Sequence, residues 1–294
     1  MSWRLRILVC AFLLGNLTCV RTPLPPPTPS AAVTVEVMAV GHGDAILIAA
    51  PAGKSVLIEG GEAEAAPGVL ASLHRRGACP VDLVLLTHRH ADHLGGLAKV
   101  IEACGARLFM DGGAEHPSRQ YNHLLQVIEE RHVPLRRATA GRRIDLGAGA
   151  TLTLLGPPDP LLEAGAVKVN ANSVVARLLV GNTSMLLTGD AESHEEAWLI
   201  ATYPSLRSTV LKLGHHGSRT STTAAFLAKV SPRLAVVSCA PGDGKHPHPE
   251  TLKRLARAHT KVVSTGDEGT LVLGFHGDRV SVVSSAHPER IWIP

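Results

Sequence analysis

The chain has 294 residues, of which 45% are hydrophobic and 18% charged, with a formal net charge of +4. This length allows one large core or two small ones, and the composition is that of a globular protein, not a disordered or fibrous one. Aromatics at 3% advertise no base-stacking platform, and the mild charge is far from the basic stripe of a dedicated nucleic-acid binder, although it admits an anionic substrate.

Arg4 and Arg6 precede an apolar run from Ile7 to Leu17 that is too short for a comfortable membrane span. Residues 1–20 therefore read as a targeting segment and the protein as exported. Simple secretion, lipidation at Cys19 and an uncleaved anchor all stay open, so any membrane contact would run through this signal or lipid anchor. Pro23, Pro25, Pro26, Pro27 and Pro29 make residues 21–32 a stiff tether. Residues 33–294 then read as one domain.

Strands are expected at Val33 to Val40, Ala45 to Ala49 and Ser55 to Ile58, separated by the turns Gly41-His42-Gly43-Asp44 and Pro51-Ala52-Gly53-Lys54. A helix over Pro67 to Arg76 leads to the buried strand Val81 to Leu86. That strand runs directly into Thr87-His88-Arg89-His90-Ala91-Asp92-His93, and a helix is expected from Leu94 to Ala103. Next come a strand at Leu108 to Met110, a helix over Pro117 to Arg131, and short strands around Gly147 and Gly149. Val174 to Val180 and Ser184 to Leu187 form a hairpin that ends in Thr188-Gly189-Asp190, and a helix covers Glu192 to Ala201. The strand Thr209 to Leu213 ends in Gly214-His215-His216-Gly217-Ser218. Helices over Thr222 to Lys229 and Pro249 to Ala258 alternate with strands at Leu234 to Ser238 and Lys261 to Ser264, and two strands, Thr270 to Phe275 and Arg279 to Val283, close the domain. Hairpins followed by alternating strands and helices argue for an α/β (α+β) protein with two sheets flanked by helices.

Beyond the targeting segment the cysteines are Cys79, Cys104 and Cys239. An odd count and the lack of a Cys-x-x-Cys spacing argue against a disulfide framework and thiolate zinc binding. Each reads as a small buried hydrophobe, with one bridge open in an oxidising compartment.

Three strands end in potential metal ligands: His88, His90, Asp92 and His93 after the first, Asp190 after the second, His215 and His216 after the third. Strand ends are where sheet proteins gather catalytic groups. Imidazole nitrogens and carboxylate oxygens suit two divalent ions, which one carboxylate can bridge. His88 and His90 can face one ion and Asp92 and His93 its neighbour, with Asp190 as the bridge. Asp44 reads as a turn former, His246 as either a substrate contact or a plain loop residue, and likewise His248. Histidines 74, 116, 123, 132, 194, 259, 276 and 287 form no constellation.

The run His88 to His93 resembles the signature of the metallo-β-lactamase superfamily. Val40-Gly41-His42-Gly43-Asp44-Ala45, Leu57-Ile58-Glu59-Gly60-Gly61, Asn172-Ser173, Leu187 to Asp190, Leu211 to Ser218 and His246-Pro247-His248-Pro249-Glu250 narrow the resemblance to the hydrolase domain of the competence protein ComEC and its free-standing relatives. It implies a four-layer αββα sandwich with two divalent ions, zinc or else manganese, at one edge, and a bridging hydroxide that attacks a phosphodiester. By the same resemblance His216 is a ligand, His215 stabilises charge on the phosphoryl oxygens, and Asp92 both ligates and orients the nucleophile. Glu59 stands where the family usually has Asp, and His42 where it usually has Gln. Glu59 could then orient a ligand histidine, or simply face water. No histidine occupies Val169 to Ser173, so the first ion would be held by His88, His90 and Asp190, with Asn172 nearby. Expected partners are a small or polymeric phosphodiester, single-stranded DNA among them. β-Lactam or lactone hydrolysis, and a cell-surface binding protein without catalysis, stand as alternatives.

Overall fold

The computed structural model describes residues 33–294 apart from 52–53, 164 and 166–168. The expected targeting segment and proline tether, and the centre of the Pro51–Lys54 turn, lie outside the described residues. No helix among the described residues is long and apolar enough to cross a membrane.

The first half of the chain gives β1 (Val33–Val37), β2 (Ile46–Ala49), β3 (Ser55–Ile58), α1 (Ala66–Arg75), β4 (Leu83–Leu86), α2 (Ala91–Leu94), α3 (Leu97–Cys104), β5 (Phe109–Asp111), α4 (Arg119–Glu130), β6 (Leu135–Arg137), β7 (Arg143–Gly147) and β8 (Ala150–Leu154). The second half gives β9 (Ala176–Val180), β10 (Thr183–Leu187), α5 (Ser193–Thr202), β11 (Val210–Lys212), α6 (Ala224–Val230), β12 (Leu234–Val237), α7 (Pro249–Arg257), β13 (Lys261–Ser264), α8 (Thr265–Glu268), β14 (Leu271–Phe275), β15 (Val280–Ser284) and β16 (Ile291–Ile293). One sheet runs β16-β15-β14-β1-β2-β3-β4-β5-β6 and the other β13-β12-β11-β10-β9-β8-β7.

Alternation of side chains along each strand builds the layers. In β4, Leu83 and Leu85 face the second sheet across a core shared with Leu152, Leu178 and Met185. Val84 and Leu86 face the other way, onto Leu73 of α1, Leu97 and Ile101 of α3 and Leu124 of α4. The outer face of the second sheet packs Leu186, Leu211 and Ala235 against Leu199 of α5, Phe226 of α6 and Leu255 of α7. Because both faces of each sheet are covered, the central strands read as continuous apolar runs. The result is the αββα sandwich.

Three expectations need correction. The helix expected over Leu94 to Ala103 is two pieces, α2 and α3. The chain bends between them because Gly96 N donates to Gly61 O at 3.1 Å and Gly60 N to His93 O at 2.8 Å, which ties the segment to the end of β3. Edge strands β6 and β16 were not foreseen, since three residues without inward alternation carry no periodic signal. Finally, Cys79 and Cys104 are joined in a disulfide across 25 positions, and of the three cysteines only Cys239 stays free and buried. The bond forms because Cys79 follows α1 and Cys104 ends α3, two helices that lie side by side on one sheet face. Closing a loop of this length stabilises a fold by about 3 kcal/mol in the chain-entropy treatment. The double variant Cys79→Ser/Cys104→Ser is therefore expected to unfold several degrees below the parent in a calorimetric scan. An unchanged midpoint, also after reduction of the parent, would count against a stabilising role.

Candidate metal centre

Within the first sheet β3, β4 and β5 run parallel, and within the second β10, β11 and β12 do. Their carboxyl ends meet at one edge of the sandwich, where Val174 N donates to Thr87 O at 3.0 Å and links the two halves. The predicted donors are delivered there by segments that follow directly on rigid strands, Asp92 and His93 from the short helix α2 and the others from loops or turns.

The donors separate into two groups, His88-His90-Asp190 and Asp92-His93-His216, each with its ligand atoms within 4.8 Å of one another. His88 Nε2 lies 3.1 Å from His90 Nδ1. Asp190 joins the groups: its Oδ2 is 3.5 Å from both His88 Nε2 and His93 Nε2, and its Oδ1 is 3.6 Å from His216 Nε2. Asp92 Oδ2 is 3.4 Å from His93 Nε2 and 3.6 Å from His216 Nε2. His93 Nε2, His216 Nε2 and Asp190 Oδ1 are buried without a hydrogen-bond partner among the described residues. Orphaned buried nitrogens and oxygens are costly, and converging on a common point they are what a divalent cation satisfies. The donor set therefore fits divalent metal.

The charge distribution is unusual. Burial pushes the Asp190 carboxyl up, but His93, His216 and His88 around it outweigh that and hold it well below the usual carboxylate range. Asp92 follows the same pattern, burial being outweighed by the imidazoles of His216 and His93 that face its carboxylate. His93 is driven down by burial yet held well above the ordinary histidine value by Glu59 and Asp190, whereas burial and the nearby His93 keep His88 well below it. The Asp190 and Asp92 carboxylates thus favour the ionised form and His88 the neutral one, the forms in which these groups ligate metal, whereas His93 favours the protonated form, whose proton a cation would displace.

Behind the donors lies a supporting layer. Glu59, fully buried at the end of β3, has Oε1 2.9 Å from His93 Nδ1 and accepts a hydrogen bond from Thr87 Oγ1, which in turn lies 2.9 Å from His88 Nδ1. Glu59 therefore faces the ligand histidines and not water. His216 Nδ1 is 3.2 Å from the carbonyl of Ser238, whose hydroxyl donates to Asp44 Oδ1. Asp44 Oδ2 pairs with Lys212 Nζ at 2.8 Å, both groups being 1% exposed. Asp44 thus shapes more than a turn: it links β11, β12 and the site. Such partners fix the tautomer and direction of a ligating imidazole.

The two adjacent histidines differ. Both have left-handed backbones, φ 45° at His215 and 51° at His216, which splays the side chains apart. His216 enters the buried donor group, while His215 stands 30% exposed with Nδ1 2.8 Å from Glu192 Oε1 and Nε2 3.8 Å from Asp190 Oδ2. Burial lowers the His215 pKa, but the hydrogen bond to Glu192 and the charge of Asp190 raise it above the ordinary value. His246 stacks on His215 with ring centroids 6.2 Å apart, and His248 caps α7 by accepting from Glu250 N at 3.1 Å.

Asn172 is placed differently from expectation. Its Oδ1 accepts from Leu162 N at 2.7 Å and its Nδ2 donates to Leu162 O at 3.0 Å, so it braces a loop. The amide that approaches the site is Asn170, 3.4 Å from His215 Nδ1. Sequence reading also missed His116, assigned to no constellation, whose ring lies edge-on to His90 at 5.0 Å. Its one available signal was its position in the loop after β5. Glu192, Lys212, Ser238 and Asp243 were passed over as well, since nothing local marks them.

A family model described as the metallo-beta-lactamase superfamily matches residues 38–240. Against ComE operon protein 3 of Bacillus subtilis (strain 168) the chain is 26% identical over 259 residues, 81% of this chain and 32% of that protein. Against Competence protein ComA of Neisseria gonorrhoeae it is 30% identical over 254 residues, 85% of this chain and 33% of that one. Recombination protein 2 of Haemophilus influenzae is 29% identical over 88% of this chain and 31% of its own length. The chain thus spans about a third of the length of these curated relatives. Among solved structures, the metallo-beta-lactamase fold protein YhfI from Bacillus subtilis superposes with a TM-score of 0.50 at 15% identity, covering 79% of this chain and 95% of that one. Zn(2+)-bound PqqB from Methylobacterium extorquens gives 0.50 at 14% identity over 83% and 100%. These two likenesses bear on the fold alone.

Proposed function

The chain belongs to the metallo-β-lactamase superfamily, and on that footing we propose that it is a metal-dependent phosphodiester hydrolase that works outside the cytoplasm. The carrying observation is Asp190, one carboxylate whose two oxygens face His88 and His93 on one side and His216 on the other. His88, His90 and Asp190 would hold one ion, and Asp92, His93, His216 and Asp190 its neighbour. Two ions so held supply Lewis acidity and an activated water to an in-line displacement.

The side chains do the rest. Asp92, fixed between His93 and His216, is 30% exposed and so reaches the open side of the site, where it orients the attacking water. His215 donates its Nδ1 proton to Glu192, which leaves the proton on Nε2, the nitrogen on the Asp190 side, for the phosphoryl oxygen on which negative charge develops. A donor already aimed at that oxygen need not reorganise during the reaction. Neither a serine nor a cysteine nucleophile is required.

The choice of substrate rests on the relatives named for competence and recombination, which favour a nucleic-acid phosphodiester, with single-stranded DNA as the leading candidate. The Cys79–Cys104 disulfide supports the export reading, since such bonds persist in oxidising compartments. The test is a panel of bis-p-nitrophenyl phosphate, single-stranded DNA and nitrocefin on the purified zinc- or manganese-loaded protein. Turnover of the first two and not the third, abolished in His90→Ala, is expected. Turnover of nitrocefin alone would replace the reading by β-lactam hydrolysis, and no turnover with two ions bound would favour a binding protein.

A further inference from the structure

Beside the two donor groups lies a third cluster, formed by His42, Asp243 and His246, with all three ligand atoms within 4.8 Å of one another. Asp243 Oδ2 is 3.3 Å from His42 Nε2 and 3.1 Å from His246 Nδ1. Ligands at about 2.0–2.1 Å from a tetrahedral ion sit roughly 3.3 Å apart, so these separations match the edge of one coordination shell. The side chain of Asp243 is 4% exposed, that of His246 24% and that of His42 44%, which puts the carboxylate at the base and leaves the histidine side open. Two imidazoles and a carboxylate with an open position is also the donor set of catalytic zinc sites.

The cluster is anchored to the metal centre from two directions. His42 stands between Gly41 and Gly43, both left-handed, and a Cβ on Gly43 would fall 1.7 Å from the carbonyl oxygen of Asp92. Only glycine permits that approach, so the His42 turn rests directly on the Asp92 loop. On the other side His248 N donates to Gly217 O at 2.9 Å, which seats the His246 loop on the His215–Gly217 turn. The His246 ring ends 6.2 Å from that of His215 and 6.3 Å from that of His216.

We propose that His42, Asp243 and His246 bind a third divalent cation at the mouth of the site, whose open position takes a non-bridging oxygen of an anionic substrate. The binding of the ion stands on the cluster itself, while its substrate role rests on the hydrolase reading above. A purely hydrogen-bonded clamp, in which Asp243 accepts from two imidazoles, is the competing account.

The probe is zinc alone, at buffered free concentrations, on the full chain, with ions per chain counted by mass spectrometry. The parent is expected to approach three ions, the third filling at higher free zinc than the first two. His42→Gln, which restores the residue usual in the family, and Asp243→Asn should both stop at two, while His90→Ala should lose a tight ion and keep the weak one. With bis-p-nitrophenyl phosphate, raising free zinc through the weak range should lower KM about fivefold or more in the parent and leave it unmoved in His42→Gln. Saturation at two ions in parent and both variants would overturn the third site and leave the dinuclear reading intact. A parent count that falls by one in His42→Gln but is insensitive to His90→Ala would sink the dinuclear reading instead. Equal KM responses in parent and His42→Gln would overturn the substrate role.

Discussion

Replacing Asp190 by alanine is expected to empty both metal positions and lower kcat/KM on bis-p-nitrophenyl phosphate by about 10³-fold or more. Among the described residues Asp190 is the one side chain whose oxygens lie within 3.6 Å of histidines from both donor groups, so its loss removes a ligand from each ion at once. Several kcal/mol of transition-state stabilisation come from metal ions in such sites, and each 1.4 kcal/mol is a factor of ten in rate. His90→Ala should behave differently, since among the described residues His90 belongs to the His88 donor group and not to the His93 one: it should lose one ion and retain its neighbour. The two variants together therefore test whether the site is one shared assembly. Metal counts and kinetics on protein with a parental circular-dichroism spectrum decide it. An Asp190→Ala protein that keeps two ions and activity within tenfold of the parent would refute the bridge.

Lys212→Met is expected to cost about 3–5 kcal/mol of stability, the range seen when one partner of a buried ion pair is removed. Lys212 leaves β11 fully buried, with Nζ 2.8 Å from Asp44 Oδ2 and 3.0 Å from its neighbour's carbonyl, Leu213 O. Burial alone would push the Asp44 carboxyl up, and the Lys212 ammonium is the first group that brings it down below the ordinary value. The sign of the pH dependence follows. A depressed carboxylate contributes stability that is fully present above its unfolded value and lost as pH falls through the folded one. Without the lysine, Asp44 prefers its proton, so the deficit of the variant against the parent should be greatest at neutral pH and shrink toward acid. The second change in Lys212→Met/Asp44→Asn should recover part of the loss, because it removes the uncompensated charge. Denaturant titrations at pH 7 and pH 5 give both answers, and a Lys212→Met deficit under 1 kcal/mol at pH 7 would show that the pair carries little. Since Asp44 also holds Ser238 against His216, the variant should bind its second ion more weakly as well.

Much of this was legible before any coordinates. Continuous apolar runs such as Leu83 to Leu86 announced strands buried on both faces, and hairpins followed by alternating helices announced two covered sheets. His88, His90, Asp92 and His93 follow closely on one buried strand, so their spacing alone pointed to metal binding. Other features left no local trace. Cys79 and Cys104 carry no spacing that marks a bond, because it depends on α1 and α3 lying side by side. Asn172 looked like a site residue and braces a loop; Asn170, two positions away in the same short helical turn, is the one that turns inward. The edge strands β6 and β16 are too short to carry a period.

What the sequence by itself determined is therefore the chemistry available at each strand end: imidazoles and carboxylates after β4, a carboxylate after β10, two imidazoles after β11. What only the tertiary structure decided is which ends meet. Strand order within each sheet, and the packing of the two sheets through a common apolar core, bring Thr87 against Val174 and thereby Asp190 between His88 and His216. The same packing sets His42 beside Asp243, two hundred positions away in the chain. Spacing along a chain fixes only neighbours within one loop, whereas contacts between loops are chosen by the burial of the strands that carry them.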